Sequence, residues 1–327
     1  MDTVTKLDPR VPRARPETRP KARPETGPKV GPKVGLQAKD QKRAAAVMLT
    51  PLVLTLFFLF VLPVAFVVVM SLTNWSLTNP ARDFVGFKNF LFVLKDGRFW
   101  KAIGNTIFFT SIKLVLDTLL ALFIAVLLDQ KVPFRRLFRI SHFAPVVVPI
   151  TASSLIWLWF YDPGIGPFNQ ILTTLGLPAL QWLYNDKTSL LSIIIFSVWK
   201  GLGYNVILFL AGLQSIPESY LEAARIDGAS ERQVFLKIKM PLLTPVTSFI
   251  IMMGIINCLK VFTEVDVMTP NHGPLESTLL LVSYIYDQSF TRGKMGRGAA
   301  ASLLLFVVVF AFTLLQRAVS RKSVSYE

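Results

Sequence analysis

The chain has 327 residues, a formal net charge of +15 at neutral pH, and a hydrophobic share of 52%. This share and the positive mean hydropathy place it among membrane proteins and exclude an ordinary soluble domain. The excess of Lys and Arg is typical of loops kept in the cytoplasm, and no fold that binds nucleic acid accompanies the charge. The single cysteine, Cys258, excludes an internal disulfide and lies in an apolar run, which predicts a small core residue.

Residues 1–43 form a basic, proline-rich tail with two short repeats. The sequence RPET at 15–18 recurs at 23–26, and GPKV at 27–30 recurs at 31–34. Proline at this density predicts an extended, disordered segment. Two roles stay open for it. A passive spacer whose charge sets the topology is favoured, and a tether to anionic membrane lipid is the alternative.

Six apolar runs follow the tail, and each can cross a bilayer core, which needs about 20 residues of helix. The first lies within residues 44–81, which carry no charge, and the others are residues 105–128, 140–160, 190–213, 242–268 and 298–316. Backbone polar groups cannot stay unpaired in lipid, so these runs predict helices. The predicted fold is therefore all-α, a polytopic membrane protein with six transmembrane helices. The first run is too long and begins too late for a cleavable signal peptide, so the first span itself serves as the targeting signal.

The distribution of Lys and Arg predicts that both termini are cytoplasmic. The tail, the loop at residues 130–139 and the C-terminal residues are all strongly basic, whereas Lys187 is the only cation in residues 161–188. One external segment opposes this pattern, because it carries Arg82, Lys88, Lys95, Arg98 and Lys101. Three favourable loops outweigh it. In the second external loop, residues 171–183 are apolar but too few to cross, and they predict an amphipathic helix.

A polar segment at residues 215–241 separates the fourth run from the fifth. Two capping boxes are predicted in it, at Ser215 with Glu218 and at Ser230 with Gln233. Pro217 fits the first turn of the first helix, and Gly228 suits the left-handed backbone at its end. The segment is therefore predicted to be a bent helix–Gly–helix that docks on another protein and does not enter the membrane.

This segment resembles the EAA loop in inner-membrane permease subunits of binding-protein-dependent ABC importers. The matching residues are Glu222, Ala223, Ala224, Gly228, Ile238, Met240 and Pro241, with Met240 where Leu is usual. The surroundings are similar to the branch that imports sugars and glycerol phosphates, and the likeness runs from about residue 72 to residue 316. A turn at residues 269–274 also resembles a Gly-Gly-Pro turn of the family, with His272 replacing the first Gly.

The resemblance implies the type-1 permease fold of ABC importers in the cytoplasmic membrane. The predicted organisation is a first helix and external loop at residues 44–98, a core of five helices at 99–320 with the coupling loop at 215–241, and a cytoplasmic tail at 321–327. The implied partners are a second permease subunit, two ATP-binding subunits and an extracytoplasmic solute-binding protein. The residues expected to couple to the ATPase are Glu222, Ala223, Ala224, Asp227, Gly228 and Pro241. A sugar is the expected substrate, and glycerol 3-phosphate or a related phosphodiester is the alternative.

The sequence offers no site for nucleotide or metal chemistry. It lacks the Gly-rich P-loop pattern, so ATP hydrolysis is assigned to a partner chain. His142 and His272 are far apart and have no Cys or carboxylate at ligand spacing, so no metal or other cofactor is expected. A secondary transporter driven by an ion gradient and a membrane-embedded enzyme are the rival classes. No repeat within the spans supports the first and no catalytic cluster supports the second.

Charged residues inside the spans are informative, because each costs at least about 2.5 kcal/mol at mid-membrane. Lys113 and Asp117 lie one helical turn apart, which favours a structural ion pair over a role in the pathway. Lys200 has no acidic residue within a turn, so it either faces a watery cavity or reaches an interface.

A polar stripe at helical spacing, formed by Asn257, Lys260 and Glu264, is predicted to face the interior of the bundle. The same stripe could instead hold helices together. Tyr, Trp and Asn side chains stack on sugars and bond their hydroxyl groups, although they are also common at membrane interfaces. The candidate substrate pathway therefore comprises Lys200, Tyr204, Asn205, Asn257 and Lys260.

Overall fold

The computed structural model describes residues 34–78, 82–130 and 135–323. No β-strand occurs in these residues, and one isolated bridge joins Thr73 to Phe84. The chain divides into two compact units, residues 1–58 and residues 59–327. The prediction for residues 1–33 lies outside the described part. Residues 34–43 are helical, contrary to the predicted extended tail, because the tail's last proline is Pro32.

The first apolar run forms one long helical segment. Helix α1 (Val34–Leu56) passes through a π-helical turn at Phe57–Val61 into α2 (Leu62–Ser71). Its portion Gln41–Ser71 is long and apolar enough to cross a membrane. The helix stops at Ser71, so the uncharged residues 72–78 belong to the loop.

The described helices before the polar segment are α3 (Lys88–Lys95), α4 (Gly97–Asp129), α5 (Arg135–Val147), α6 (Ile150–Phe160), α7 (Pro167–Thr174) and α8 (Ser189–Gln214). The polar segment then forms α9 (Glu218–Ile226), α10 (Glu231–Val234), a π-helical turn at Phe235–Lys239, and α11 (Met240–Leu242). The remaining helices are α12 (Thr244–Leu259), α13 (Thr263–Met268), α14 (Leu281–Tyr286) and α15 (Met295–Ser323), with a π-helical turn at Asp287–Thr291 after α14.

The described residues contain four continuous helices that can span a membrane and two bent pairs that raise the total to six. The continuous ones are Gln41–Ser71, Gly97–Asp129, Ser189–Gln214 and Met295–Leu314. Ile140–Val147 and Ile150–Phe160 meet at 108°, and Glu231–Leu242 and Thr244–Leu259 meet at 59°. The predicted span at 140–160 is therefore not a single helix, and the one predicted at 242–268 begins at the second bend.

Proline explains the sharper bend. Pro149 has no N–H to donate, and the residue before a proline is disfavoured in helical conformation, so the helix cannot continue through Val148. The fifth run is interrupted again at residues 260–262, where Phe262 is not helical (φ −147°, ψ −58°). Nothing in the local sequence explains this second break.

The external helix predicted at 171–183 is shorter and begins earlier, as α7. Gly176 adopts a left-handed backbone (φ +74°) and Pro178 follows it, so the helix ends at Thr174. Asn169 holds the remaining loop, because its side-chain amide donates to the Leu180 carbonyl and its oxygen accepts from the Trp182 indole N–H at 2.9 Å.

The centre of the second unit is the close packing of α4 on α8. Small buried residues on α4, Ala121 and Ala125, let the backbones approach and pack with Phe209 of α8. Helix α5 also crosses α8 closely, because a Cβ on Gly203 would lie 2.0 Å from the His142 carbonyl oxygen. Cys258 is fully enclosed in a core cluster with Phe109 and Ile193, as predicted.

Candidate functional site

The polar segment folds as two short helices on either side of Gly228. Ser230 and Gln233 form the predicted capping box, because the Gln233 side chain accepts from the Ser230 N–H at 2.8 Å and the Ser230 hydroxyl accepts from the Gln233 N–H. The box predicted at Ser215 with Glu218 is wrong. Ser215 closes the preceding helix α8, since its hydroxyl donates to the Gly212 carbonyl at 2.8 Å, and Pro217 is the N-cap of α9.

Gly228 has the left-handed backbone that ends α9 (φ +82°). Its N–H donates to the Arg225 carbonyl at 3.1 Å, and the next N–H, of Ala229, donates to Ala224 at 2.9 Å. No atom lies within 4 Å of the position that a Cβ would occupy. The demand for glycine therefore comes from the backbone alone.

Helix α9 presents an apolar surface that nothing in the described residues covers. Ile226 is 86% exposed and Tyr220 is 56% exposed, and Ala223 is exposed beside them. Ala224 faces inward and is buried, so the two alanines lie on different sides of α9. Glu222 and Asp227 are also exposed, whereas Pro241 is part of α11, next to the bend.

The polar segment is tied to the membrane helices at both ends. It continues directly from α8 and passes into α12. Lys239 forms an ion pair with Asp129 at the end of α4, with 3.4 Å between nitrogen and oxygen. A Cβ on Gly212 of α8 would lie 2.9 Å from the Leu243 and Val246 side chains, so the two flanking helices meet closely there.

A polar cavity of about 450 Å³ opens among α4, α6, α8, α12 and α13. Its polar lining comes from Lys113, Ser197, Lys200, Asn257, Lys260, Thr263 and Glu264. The two breaks in the helices create this space, since Ile150 begins α6 after the first break and residues 260–262 form the second.

Lys113 and Asp117 form the ion pair that their spacing predicted, and both side chains are largely buried. Gly201 of α8 lies against this pair, because its Cβ position is 3.5 Å from the Lys113 ammonium nitrogen. The Asp117 Oδ1 atom is buried without a hydrogen-bond partner. Lys113 also lines the cavity, so its ion pair with Asp117 and a position on the candidate pathway are compatible.

Lys200 donates hydrogen bonds to the backbone carbonyls of Pro145 and Val148, and the Val146 carbonyl lies 3.5 Å from the same nitrogen. The Pro145 and Val146 carbonyls belong to the last turn of α5 and Val148 follows it, where the break removes the helical partners of these groups. The sequence left open whether Lys200 faces a cavity or reaches an interface. The structure places it at the cavity wall, holding the end of a broken helix.

The remaining predicted pathway residues divide into two groups. Asn257 and Lys260 line the cavity and are exposed to it, whereas Tyr204 and Asn205 are not among its lining residues. Sequence reasoning missed Ser197, whose hydroxyl donates to the buried Glu264 carboxylate at 3.3 Å. Its spacing of three residues from Lys200 was the signal that could have found it, because residues three apart share a helix face.

A second polar cluster lies at the N-terminal end of α4, around Arg98. Arg98 pairs with Glu276 at 2.5 Å and with Asp287 at 2.6 Å. Its hydrogen bond holds the pKa of the Glu276 carboxyl below the usual value. These bonds fix a strained loop, in which Asn271 and His272 both have positive φ; His272 thus adopts the left-handed backbone expected of the glycine it replaces. Among the described residues no three His, Cys, Asp or Glu side chains are grouped to hold a metal.

The inner membrane components of binding-protein-dependent transport systems match this chain over residues 117–324. A trehalose/maltose transport system permease, MalF of Thermococcus litoralis, is 34% identical over 84% of this chain and 92% of its own length. A glycerol-3-phosphate transport system permease, UgpA of Yersinia enterocolitica, is 29% identical over 75% of this chain and 83% of its own.

A solved bacterial alginate ABC transporter, in complex with a periplasmic protein that carries an alginate pentasaccharide, contains a chain of the same fold. The TM-score is 0.78 at 21% identity, with 88% of this chain and 98% of that chain covered. The likeness confirms the predicted all-α permease fold, and the family match confirms a membrane transport component in place of an enzyme. The chain belongs to the family of inner membrane components of binding-protein-dependent transport systems.

Proposed function

We propose that this permease carries a sugar through the polar cavity, driven by ATP hydrolysis on partner subunits that engage the segment at residues 215–241. One observation carries the proposal. Helices α8 and α12, which flank that segment, also line the cavity. Movement of the segment therefore bears directly on the cavity wall, since packed helices transmit displacement instead of absorbing it.

The assembly we propose has a second permease subunit, two ATP-binding subunits and an extracytoplasmic solute-binding protein. The solved alginate transporter supports the last of these, because a periplasmic protein is bound to it. The exposed Ile226 and Tyr220 on α9 support docking of an ATP-binding subunit, since large apolar side chains on a polar loop indicate an interface. We assign residues 99–320 as the permease core that makes these contacts.

We also propose that both termini, the loop at residues 130–139 and the polar segment at residues 215–241, from here on the coupling segment, face the cytoplasm. The excess of Lys and Arg in these parts supports this orientation. With Cys258→Ser as background, a single cysteine at position 218 should stay unmodified in intact cells by a thiol reagent that cannot cross the membrane, and should react after lysis. Labelling in intact cells would contradict the orientation.

The coupling role of Gly228 follows from its backbone. A side chain at φ +82° costs roughly 1–2 kcal/mol for most residues, whereas Asn tolerates this region. The space around the Cβ position is empty, so Gly228→Asn and Gly228→Val differ in backbone preference and not in fit to this chain.

We therefore expect Gly228→Val to abolish stimulated ATP hydrolysis and uptake while membrane insertion stays normal. Gly228→Asn is the matched control and should keep most of the activity. ATPase assays on the reconstituted importer and uptake in cells measure the two effects. Normal transport in Gly228→Val would remove this turn from the mechanism.

The charges in the cavity favour a sugar over a phosphate ester. Lys113 is offset by Asp117, and Glu264 offsets one of the two remaining cations, Lys200 and Lys260. One net positive charge remains, whereas a phosphate monoester carries about −1.5 to −2 at neutral pH. The Lys200 ammonium is moreover occupied by backbone carbonyls. The relatives include a trehalose/maltose permease and a glycerol-3-phosphate permease, and uptake of the two substrates distinguishes them.

We expect Lys260→Gln combined with Asn257→Ala to raise the half-saturating sugar concentration on the order of tenfold, because each lost hydrogen bond is worth about 0.5–1.5 kcal/mol. The exposed Lys294, outside the cavity, supplies the control Lys294→Gln, which should leave uptake unchanged. Uptake of labelled sugars and of glycerol 3-phosphate is the measurement. Uptake of glycerol 3-phosphate but no sugar by the parent, lost in the variant, would overturn the assignment.

A further inference from the structure

The short helix α3 lies at the end of the bundle away from the coupling segment. Helix α4 runs about 50 Å from Gly97, next to α3, to Asp129, which pairs with Lys239 of the coupling segment. The buried Asn89 side chain fixes α3 to the end of α2 by donating to the Ser71 carbonyl at 2.8 Å and the Thr73 carbonyl at 2.9 Å. The position of α3 is therefore rigidly defined.

The exposed Trp100 side chain places α3 at the level of the lipid headgroups. Trp100 is 56% exposed, and its indole N–H donates to the Leu94 carbonyl at the end of α3, at 2.8 Å. Trp75 follows α2 and lies under the Arg82 guanidinium at 4.2 Å. Exposed tryptophan is enriched where a membrane meets water, so Trp100 marks that boundary, whereas Trp75 is half-buried.

One face of α3 combines positive charge with apolar surface. Lys88, Leu91, Phe92 and Lys95 are spaced by three, four and seven residues, which puts them on the same side of a helix. They line a cavity of about 500 Å³ together with Asp96 and Arg292. Two exposed lysines thus flank an apolar floor of two exposed side chains.

The lysine charges are not used within the described part of the chain. Neither Lys88 nor Lys95 has an ion pair or a side-chain hydrogen bond there. The one carboxylate in the lining, Asp96, already accepts from the Arg98 N–H and the Tyr284 hydroxyl. A basic face at this end also opposes the distribution of Lys and Arg elsewhere in the chain, which indicates that the charge serves a ligand.

We propose that this face binds the headgroup phosphate of an anionic phospholipid in the membrane leaflet away from the coupling segment. Lys88 and Lys95 hold the phosphate, and Arg292 adds a cation that is already paired with Asp287. The first acyl carbons lie along Leu91 and along the part of Phe92 that the Arg297 guanidinium, 3.6 Å from the ring centre, leaves open. An acidic protein surface could pair with the same lysines, but it would leave the apolar side chains of Leu91 and Phe92 uncovered at headgroup depth. The site is separate from the sugar cavity and does not depend on the identity of its substrate.

The test uses the assembled importer in nanodiscs with equal parts phosphatidylglycerol and phosphatidylcholine. Lipid retained after detergent extraction is counted by native mass spectrometry. We expect enrichment of phosphatidylglycerol that falls about fivefold for each lysine changed to Gln, the equivalent of ~1 kcal/mol per cation. Lys95→Gln is compared with Lys187→Gln, which removes one exposed charge outside this face.

Each other outcome overturns the proposal in a distinct way. Equal enrichment in Lys88→Gln/Lys95→Gln and wild type would show that the lysines hold no lipid. Displacement of the lipid by millimolar inorganic phosphate would identify a site for a free anion. Unchanged enrichment with weakened association of the solute-binding protein would assign the face to a protein partner.

Discussion

The bond between one lysine and a broken helix determines the interior of this permease. Unpaired backbone carbonyls are costly in a membrane, and the break at Val148 and Pro149 leaves several at the end of α5. The Lys200 ammonium satisfies two of these carbonyls, because it donates hydrogen bonds to those of Pro145 and Val148. With this bond in place, α5 and α6 can meet at 108° instead of forming one straight span, and the space beside the bend becomes a polar cavity.

The cavity and the coupling segment share their supporting helices. Helix α8 contributes Ser197, Lys200 and Gly201 to the cavity wall and then passes directly into the coupling segment. Its contact with the other flanking helix depends on the missing side chain of Gly212. The ion pair between Lys239 and Asp129 adds α4, which carries Lys113 to the same cavity. Packed elements therefore connect this segment to three walls of the cavity.

The sequence predicted features that depend on short-range chemistry. The left-handed Gly228, the capping box at Ser230 and the ion pair between Lys113 and Asp117 each involve neighbours within four residues, so spacing alone defined them. The sequence-based prediction was wrong at Ser215, which lies between two helices. Ser215 caps the C-terminal end of α8 and not the N-terminal end of α9. The role of Lys200 could not be predicted from the sequence. The carbonyls that it binds lie more than fifty residues away, and they become available only because the third span is broken. Hydropathy marks a span but does not reveal its bend.

Lys200→Met tests the central claim most directly, because it keeps an apolar stem of similar length and removes the donor. If Lys200 holds the broken helix, the carbonyls of Pro145 and Val148 lose their hydrogen-bond donor in Lys200→Met, and the assembled importer should unfold at a lower temperature. The half-saturating sugar concentration of the importer that still assembles should stay at the wild-type value. An importer of unchanged thermal stability whose half-saturating sugar concentration rises would contradict this account and make Lys200 a substrate ligand.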